Sequence, residues 1–324
     1  MLDVRRLKVL REVARQGSLS AAAVTLGYTQ PAVSRQIAVL EAEAGVKLVT
    51  RVPQGVTLTP AGRLLVDRAE EVLASLARTE DELRAHANLE AGTLRMAAFA
   101  SAGASVVPVA LARFRERHPA VELTVSVVDP IDSLPQLRAG ELDLVLCNYD
   151  VSALRGSASR TRPESGGLPI ELVPLFEDPM YVALPAWHPF AEVPELSLAM
   201  LADEPWMLTT TVTCPDAEIF QRACEAARIE PRVAFQYDDY PALLGFVAAG
   251  VGISVVPDMI ARHLRDGVVI RTLSTPLPAR PVSAAVPTGY RSAPVAAMLD
   301  VLLDLVPDWV ANRVDIAERS GASA

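Results

Sequence analysis

The stretch GSLSAAAVTLGYTQPAVSRQIAVLEAEAG, from Gly17 to Gly45, constrains the fold of this chain more than any other. It holds two short apolar-periodic segments joined at Gly27. Ser18 suits the N-cap of the first segment, and Gly27 suits its C-terminal stop. Thr29 can cap the second, and Pro31 falls in the first turn, where its missing N–H costs nothing. Val33, Ile37, Leu40 and Ala44 then share one face. Pro31, Ser34, Arg35 and Ala38 share the other. A further helix over residues 2–16 carries Val4, Leu7, Leu10, Val13 and Ala14 at helical spacing. Two helices around a tight glycine turn, the second polar on its outer face, read as a helix-turn-helix. The DNA major groove admits one helix, whose N-terminal residues meet base edges. Gln30 can pair with adenine, Arg35 with guanine or phosphate, and Ser34 with either. A small helical bundle that binds protein is the competing reading of the same pattern.

In VKLVTRVPQGVTLTP, two β-rich runs flank Gln54-Gly55, which reads as a hairpin. Arg51 and Thr57 on that hairpin can reach the DNA backbone or minor groove. Thr59-Pro60 is a strong helix start, and the helix should run to about residue 88. Leu65, Ala69, Val72, Leu76, Thr79 and Leu83 alternate by four and three along it. Such a heptad seam pairs a helix with a copy of itself. The alternative is a helix lying on its own domain.

Charge supports a nucleic-acid-binding end. Residues 1–66 carry nine Arg or Lys against four Asp or Glu, while the whole chain has a net charge of -9. A basic end on an acidic body suits a polyanionic partner. Arg5, Arg6, Lys8 and Arg11 stand where a signal peptide would need its apolar run. The uncharged stretch from Pro241 to Pro257 is shorter than the roughly 20 residues of a membrane span. It is interrupted by Gly245, Gly250 and Gly252, and reads as a buried helix, a turn and a core strand. A cytoplasmic protein with no membrane partner is expected.

Beyond Gly92 the texture becomes α/β. The apolar runs LRMAAFA, VELTVSVV and LDLVLCN alternate with helical segments, the pattern of a buried parallel sheet. A Ser-, Arg- and Gly-rich segment, residues 150–167, reads as a loop or crossover. A second alternation follows: ELVPLF, MYVALP, PWMLTTT, a helix from about Asp216 to Arg228, RVAFQY, a helix from Pro241 to Ala249, and GISVVP. RPVSAAVP and a last helix from about Ala293 close the fold. Two α/β halves imply a cleft between them.

Over about its first 65 residues the chain resembles the LysR-type transcriptional regulators. The run S-x-A-A-x-x-L, the core T-Q-P-A-V-S-R-Q-I, the step L-E-x-x-x-G-V-x-L and the hairpin end T-P-A-G carry the likeness. LRMAAFASAGASVVPVALARFRERHPAVEL, LRAGELDLVL and LLGFVAAGVGISVVP extend it more weakly. The resemblance implies an N-terminal winged helix-turn-helix with a long dimerising linker helix. Behind them it implies a periplasmic-binding-protein-like α/β effector domain of two subdomains. It implies base contacts at Gln30, Pro31, Ser34 and Arg35 and wing contacts near Arg51. Ser18, Ser20, Thr29 and Thr57 complete the candidate DNA-facing set. The expected division is 1–58 for the winged domain and 59–90 for the linker helix. Subdomain I takes 91–165 and 270–310, subdomain II takes 166–269, and 311–324 form a tail. The implied partners are double-stranded operator DNA, copies of the chain in a homodimer and homotetramer, RNA polymerase, and a small-molecule effector.

In this family the effector sits between the α/β halves. Ser101, Asn148, Thr213 and Cys214 stand at matching places, next to strand ends and helix starts, where open α/β sheets bind ligands. Helix capping by Ser101 and Thr213 is the plain alternative. A small organic acid is the expected ligand class. A redox-sensing regulator using Cys214, with Cys224 as its resolving partner, is a second reading. A ligand-binding or interaction protein without operator recognition is a third. Chemistry of its own is not expected: the chain has no G-x-S-x-G elbow and no P-loop, and GVGISV lacks the third glycine of a dinucleotide fingerprint. His86, His118, His188 and His263 are scattered, and Cys147, Cys214 and Cys224 form no C-x-x-C pair, so neither metal nor cofactor is called for.

Overall fold

A computed structural model describes residues 2–53, 55–87, 92–148, 168–193, 195–209, 215–237, 239–289 and 291–313. The first three helices are α1 (Val4–Gln16), α2 (Leu19–Leu26) and α3 (Gln30–Ala44). Asp3 caps α1 by accepting the Arg5 N–H at 2.7 Å. Gly27 ends α2 with φ at +66°, a left-handed conformation that lets α3 turn back across α2. Leu7, Leu10, Val13, Ala22, Ala23, Val33, Ile37 and Leu40 bury the inner faces in one small core. The wing is the antiparallel pair β1 (Val49–Val52) and β2 (Gly55–Leu58), with Arg51 opposite Val56.

Helix α4 runs over Pro60–Ala87, about 42 Å at 1.5 Å per residue. Thr59 caps it by accepting the Gly62 N–H at 3.0 Å. The heptad seam is divided in use. Leu65 and Ala69 complete the core of the winged domain, whereas Val72, Leu76, Thr79 and Leu83 are exposed. A core of three short helices needs the first turns of a fourth, so only the later part of the seam faces outward. On another side of the helix, Ala74 is fully buried, with the Cβ position of Gly140 only 3.1 Å from its own Cβ.

The α/β part has two lobes. The first contains β3 (Thr93–Ala98), α5 (Ala100–Ala104), α6 (Val106–Arg117), β4 (Glu122–Val127), α7 (Pro130–Arg138), β5 (Leu144–Cys147) and β6 (Ile170–Asp178). The second contains β7 (Met180–Pro185), β8 (Glu195–Leu196), β9 (Pro205–Leu208), α8 (Pro215–Ala227), β10 (Arg232–Gln236), α9 (Tyr240–Ala248), β11 (Ile253–Pro257), α10 (Asp258–Ala261) and β12 (Val268–Leu273). The chain then returns to the first lobe through β13 (Arg280–Pro287) and α11 (Ala293–Ala311). The sheet orders are β4-β3-β5-β13-β6 and β10-β9-β11-β7-β12-β8.

The expected subdomain limits at 166 and 270 both move. β6 pairs antiparallel with β13 along its whole length, and β12 pairs antiparallel with β7, so the second sheet lies within residues 180–273. An apolar run announces a strand but not its neighbour. For the same reason the expected parallel sheets are mixed: β3, β4 and β5 run parallel, while β13 and β6 are antiparallel additions. The consequence for the site is local. Asp178 and Arg280 are register partners at the two crossings between lobes.

Candidate functional site

The outer face of α3 is polar and open to solvent. Gln30, Pro31 and Arg35 are exposed and Ser34 is half-buried, while Val33, Ile37 and Leu40 are buried behind them. Thr29 occupies the N-cap position without spending its hydroxyl on the helix. Ser18 spends its own: it accepts the Ala21 N–H at 3.4 Å. Ser20 is exposed on the first turn of α2, and Arg51 and Thr57 are exposed on the wing. Arg35 and Arg51 have no ion-pair partner among the described residues, which leaves their charge available. Arg6 and Arg63 are engaged instead. Arg6 bonds Gln36 at 3.2 Å and Glu43 at 2.5 Å, pinning α1 to α3, and Arg63 donates to the Leu58 carbonyl at 2.9 Å.

The wing is held to α3 by a buried carboxylate. Glu41, on the inner side of α3, accepts the N–H groups of Leu48 at 3.0 Å and Val49 at 3.3 Å, and Lys47 at 2.6 Å. Burial works against its charge, but these donors outweigh burial and hold its carboxyl below the usual range. At the tip, the Val56 N–H donates to the Gly17 carbonyl at 2.8 Å. A Cβ on Gly55 would lie 2.3 Å from that oxygen, so only glycine fits there. The sequence displays Glu41 within L-E-x-x-x-G-V-x-L, but its role depends on contacts across the fold.

Between the lobes stands a charged cluster centred on Arg280, whose side chain is 1% exposed. Its Nη1 donates to both oxygens of Asp216, at 2.9 and 3.1 Å. Its Nη2 donates to Asp178 Oδ2 at 2.5 Å and to Ser101 Oγ at 3.1 Å. Tyr240 donates its hydroxyl to Asp216, and the Met259 N–H donates to Asp178 Oδ1 at 3.1 Å. The Phe99 ring centre lies 5.7 Å from the guanidinium carbon. Burial disfavours the charge on Arg280, yet Asp216 and Asp178 outweigh burial and push its pKa up. Phe99, Ser101, Asp178 and Arg280 come from the first lobe, Asp216 and Tyr240 from the second. The cluster therefore joins the two.

Of the expected cleft residues, Ser101 lies in this cluster. It is buried in α5, where its carbonyl accepts the Ser105 hydroxyl at 2.5 Å, and its own hydroxyl serves Arg280. Asn148 directly follows β5, 5% exposed, with Oδ1 buried and without a partner among the described residues. Thr209, which directly follows β9, likewise has a buried hydroxyl without a partner among the described residues. Thr213 and Cys214 lie outside the described residues. Sequence reasoning missed Arg280, Asp178 and Tyr240, and took Asp216 only as a helix start. The available signal was an arginine opening the apolar run RPVSAAVP.

The other thiols are poor redox candidates. Cys224 is 1% exposed in the second-lobe core, and burial, then Glu225, pushes its thiol up to about 11. Burial alone pushes Cys147 up to about 12. Among the described residues there is no group of three or more His, Cys, Asp or Glu placed to hold a metal. No helix among them is long and apolar enough to cross a membrane.

A winged helix-turn-helix joined through one long helix to a two-lobed α/β domain defines a ligand-responsive DNA-binding protein. Residues 4–63 match the family described as bacterial regulatory helix-turn-helix protein, lysR family, and residues 87–307 match the LysR substrate binding domain. The chain is 30% identical over 309 residues to the probable HTH-type transcriptional regulator LrrA of Synechococcus elongatus, covering 95% of this chain and 98% of that one. Two solved structures share the fold. CbnR, crystallised full-length with its target DNA, has a TM-score of 0.61 at 24% identity, covering 93% of this chain and 99% of that one. The BenM effector binding domain with benzoate has a TM-score of 0.58 at 20% identity, covering 69% of this chain and 96% of that one. The chain belongs to the LysR family of DNA-binding transcriptional regulators.

Proposed function

We propose that α3 reads operator DNA through Gln30, Pro31, Ser34 and Arg35. In this reading Arg51, Thr57, Ser18, Ser20 and Thr29 position the domain on sugar and phosphate. The observation that carries it is the contrast in arginine use. Arg6 and Arg63 are tied into the fold, while Arg35 and Arg51 are exposed and without ion-pair partners among the described residues. Phosphate contacts place the protein and base contacts select the site. The exposed part of the α4 seam, Val72, Leu76 and Leu83, pairs two chains. The outer strands β4 and β10 carry exposed Val125, Val127, Val233 and Phe235, which supports pairing of effector domains into a tetramer.

The effector occupies the region between lobes near Ser101, Asn148, Thr213 and Cys214, and Asn148 Oδ1 and Thr209 Oγ1 are polar atoms it can satisfy. Its unequal affinity for two lobe arrangements sets the spacing of the recognition helices and so the engagement of RNA polymerase. The protein performs no chemistry of its own and works in the cytoplasm, where its DNA lies. The test is a gel shift on the intergenic DNA upstream of its own gene, at two salt concentrations, with excess unrelated competitor. A salt-sensitive complex that survives competitor is expected. No complex at low salt from a folded oligomer refutes the reading.

A further inference from the structure

Arg280 is served by more carboxylate than it needs. Two carboxyl groups face one guanidinium, and Asp178 is the fixed one: it is the register partner of Arg280 in one sheet, and its second oxygen is held by the Met259 N–H. Asp216 is the supernumerary anion. It comes from the other lobe, in the first turn of the 13-residue helix α8, and is 2% exposed. Both of its oxygens face Arg280 Nη1, and the Tyr240 hydroxyl donates to it. The place it fills offers an anion an arginine and a hydroxyl donor. The guanidinium is not saturated, since Arg280 Nε is buried without a partner among the described residues.

We propose that Asp216 is a built-in stand-in for the effector's charged group, so that the effector is a small carboxylate that binds by displacing Asp216 from Arg280. This rests on the reading of the region between lobes as the effector site. The exchange conserves charge: one carboxylate leaves Arg280 Nη1 as another arrives, and Arg280 and Asp178 stay paired. A bound cation would leave Asp216 in place, and an added anion without exchange would bury a second uncompensated charge beside Asp178. Because Asp216 joins the lobes, its release frees α8 from β13. Ligand binding and lobe movement thus become one equilibrium. Asp216 also sets the affinity: a ligand that must compete with a tethered carboxylate binds more weakly, by the fraction of time the site is vacant.

The test uses the full-length protein and acetate, a carboxylate small enough to refill the place of a deleted side chain. Thermal shift and calorimetry follow acetate, chloride and ethylammonium at constant ionic strength in wild type, Asp216→Ala and the double variant Asp216→Ala with Arg280→Gln. Asp216→Ala is expected to bind acetate at least tenfold more tightly than wild type, and the double variant to lose that gain. If Asp216→Ala fails to fold, Tyr240→Phe removes only the hydroxyl that steadies Asp216, and a two- to fivefold gain in acetate affinity is expected. Equal acetate responses in wild type and the folded variant overturn the proposal, as does a gain for ethylammonium in place of acetate. An operator gel shift on the same preparations separates the two ideas. Intact operator binding with no acetate gain removes this inference alone, whereas absent operator binding by wild type removes the proposed reading of operator DNA by α3.

Discussion

Glu41 of α3 accepts the backbone N–H groups of Leu48 at 3.0 Å and of Val49 at 3.3 Å, so α3 and the first strand of the wing share one buried carboxylate. Glu41→Ala leaves the Leu48 and Val49 amides unpaired, at a cost of about 1–3 kcal/mol. Amide exchange at Leu48 is expected to accelerate about ten- to hundredfold by the same principle. Unchanged exchange would show that the wing is held by other contacts.

The same carboxylate gives a pH dependence with a definite sign. Its folded pKa lies below its ordinary value of 4.5, so its stabilisation is present above pH 4.5 and is lost as pH falls through the folded value. Wild type and Glu41→Gln should therefore differ in the thermal stability of the winged domain at neutral pH and converge in acid. A difference that widens in acid contradicts the assignment.

Arg35→Ala and Arg51→Ala should fail in different ways. Loss of a base contact at Arg35 is expected to cost about 1–3 kcal/mol on the operator and to relax sequence preference. Loss of Arg51 is expected to weaken operator and random DNA alike, and to lower the salt slope by about one. Quantitative gel shifts over a salt series distinguish them, and undiminished operator preference in Arg35→Ala would mean that α3 is not the reading element.

Ser101→Ala removes the hydroxyl that accepts from Arg280 Nη2 at 3.1 Å and touches nothing in the winged domain. Operator affinity without ligand should stay within about twofold, since changes at distant, independent sites rarely interact by more than about 0.5 kcal/mol. The acetate affinity of the Asp216→Ala protein should fall when Ser101→Ala is added. Calorimetry on that pair of proteins decides it.

Cys147 and Cys224 should resist labelling in the native protein. With a thiol pKa near 11, only about one Cys224 in a thousand is thiolate at pH 8. Mass-spectrometric mapping after brief alkylation is expected to find both unmodified until the protein unfolds. Rapid modification of Cys224 would reopen the redox reading.

Leu76→Glu places a charge on the exposed part of the α4 seam, where Leu76 is 40% exposed in the single chain. Sedimentation should show smaller assemblies, and operator affinity should fall with them. An unchanged assembly would place the chain-pairing surface elsewhere.

The sequence by itself determined the local structure. The caps at Ser18 and Thr59, the glycine stop at Gly27, and the apolar faces of α1 and α3 all stand in the chain as read. Each depends on neighbours within about four residues, so composition and spacing suffice. The basic N-terminal end and the exposed row Gln30, Pro31 and Arg35 were legible for the same reason.

Tertiary structure alone decided which strands pair across the lobes and which charges meet between them. Arg280 reaches Asp216, Asp178 and Ser101 across sequence separations of 64, 102 and 179 residues. No local period encodes such a distance, and an arginine that opens a strand looks like a surface residue until the opposite lobe closes over it. The role of Glu41 was hidden in the same way, because a carboxylate on a helix looks solvated until the wing folds back to bring its backbone N–H groups. What makes both arrangements binding is burial: away from water, each charge must find its partners, and only the folded chain brings those partners together.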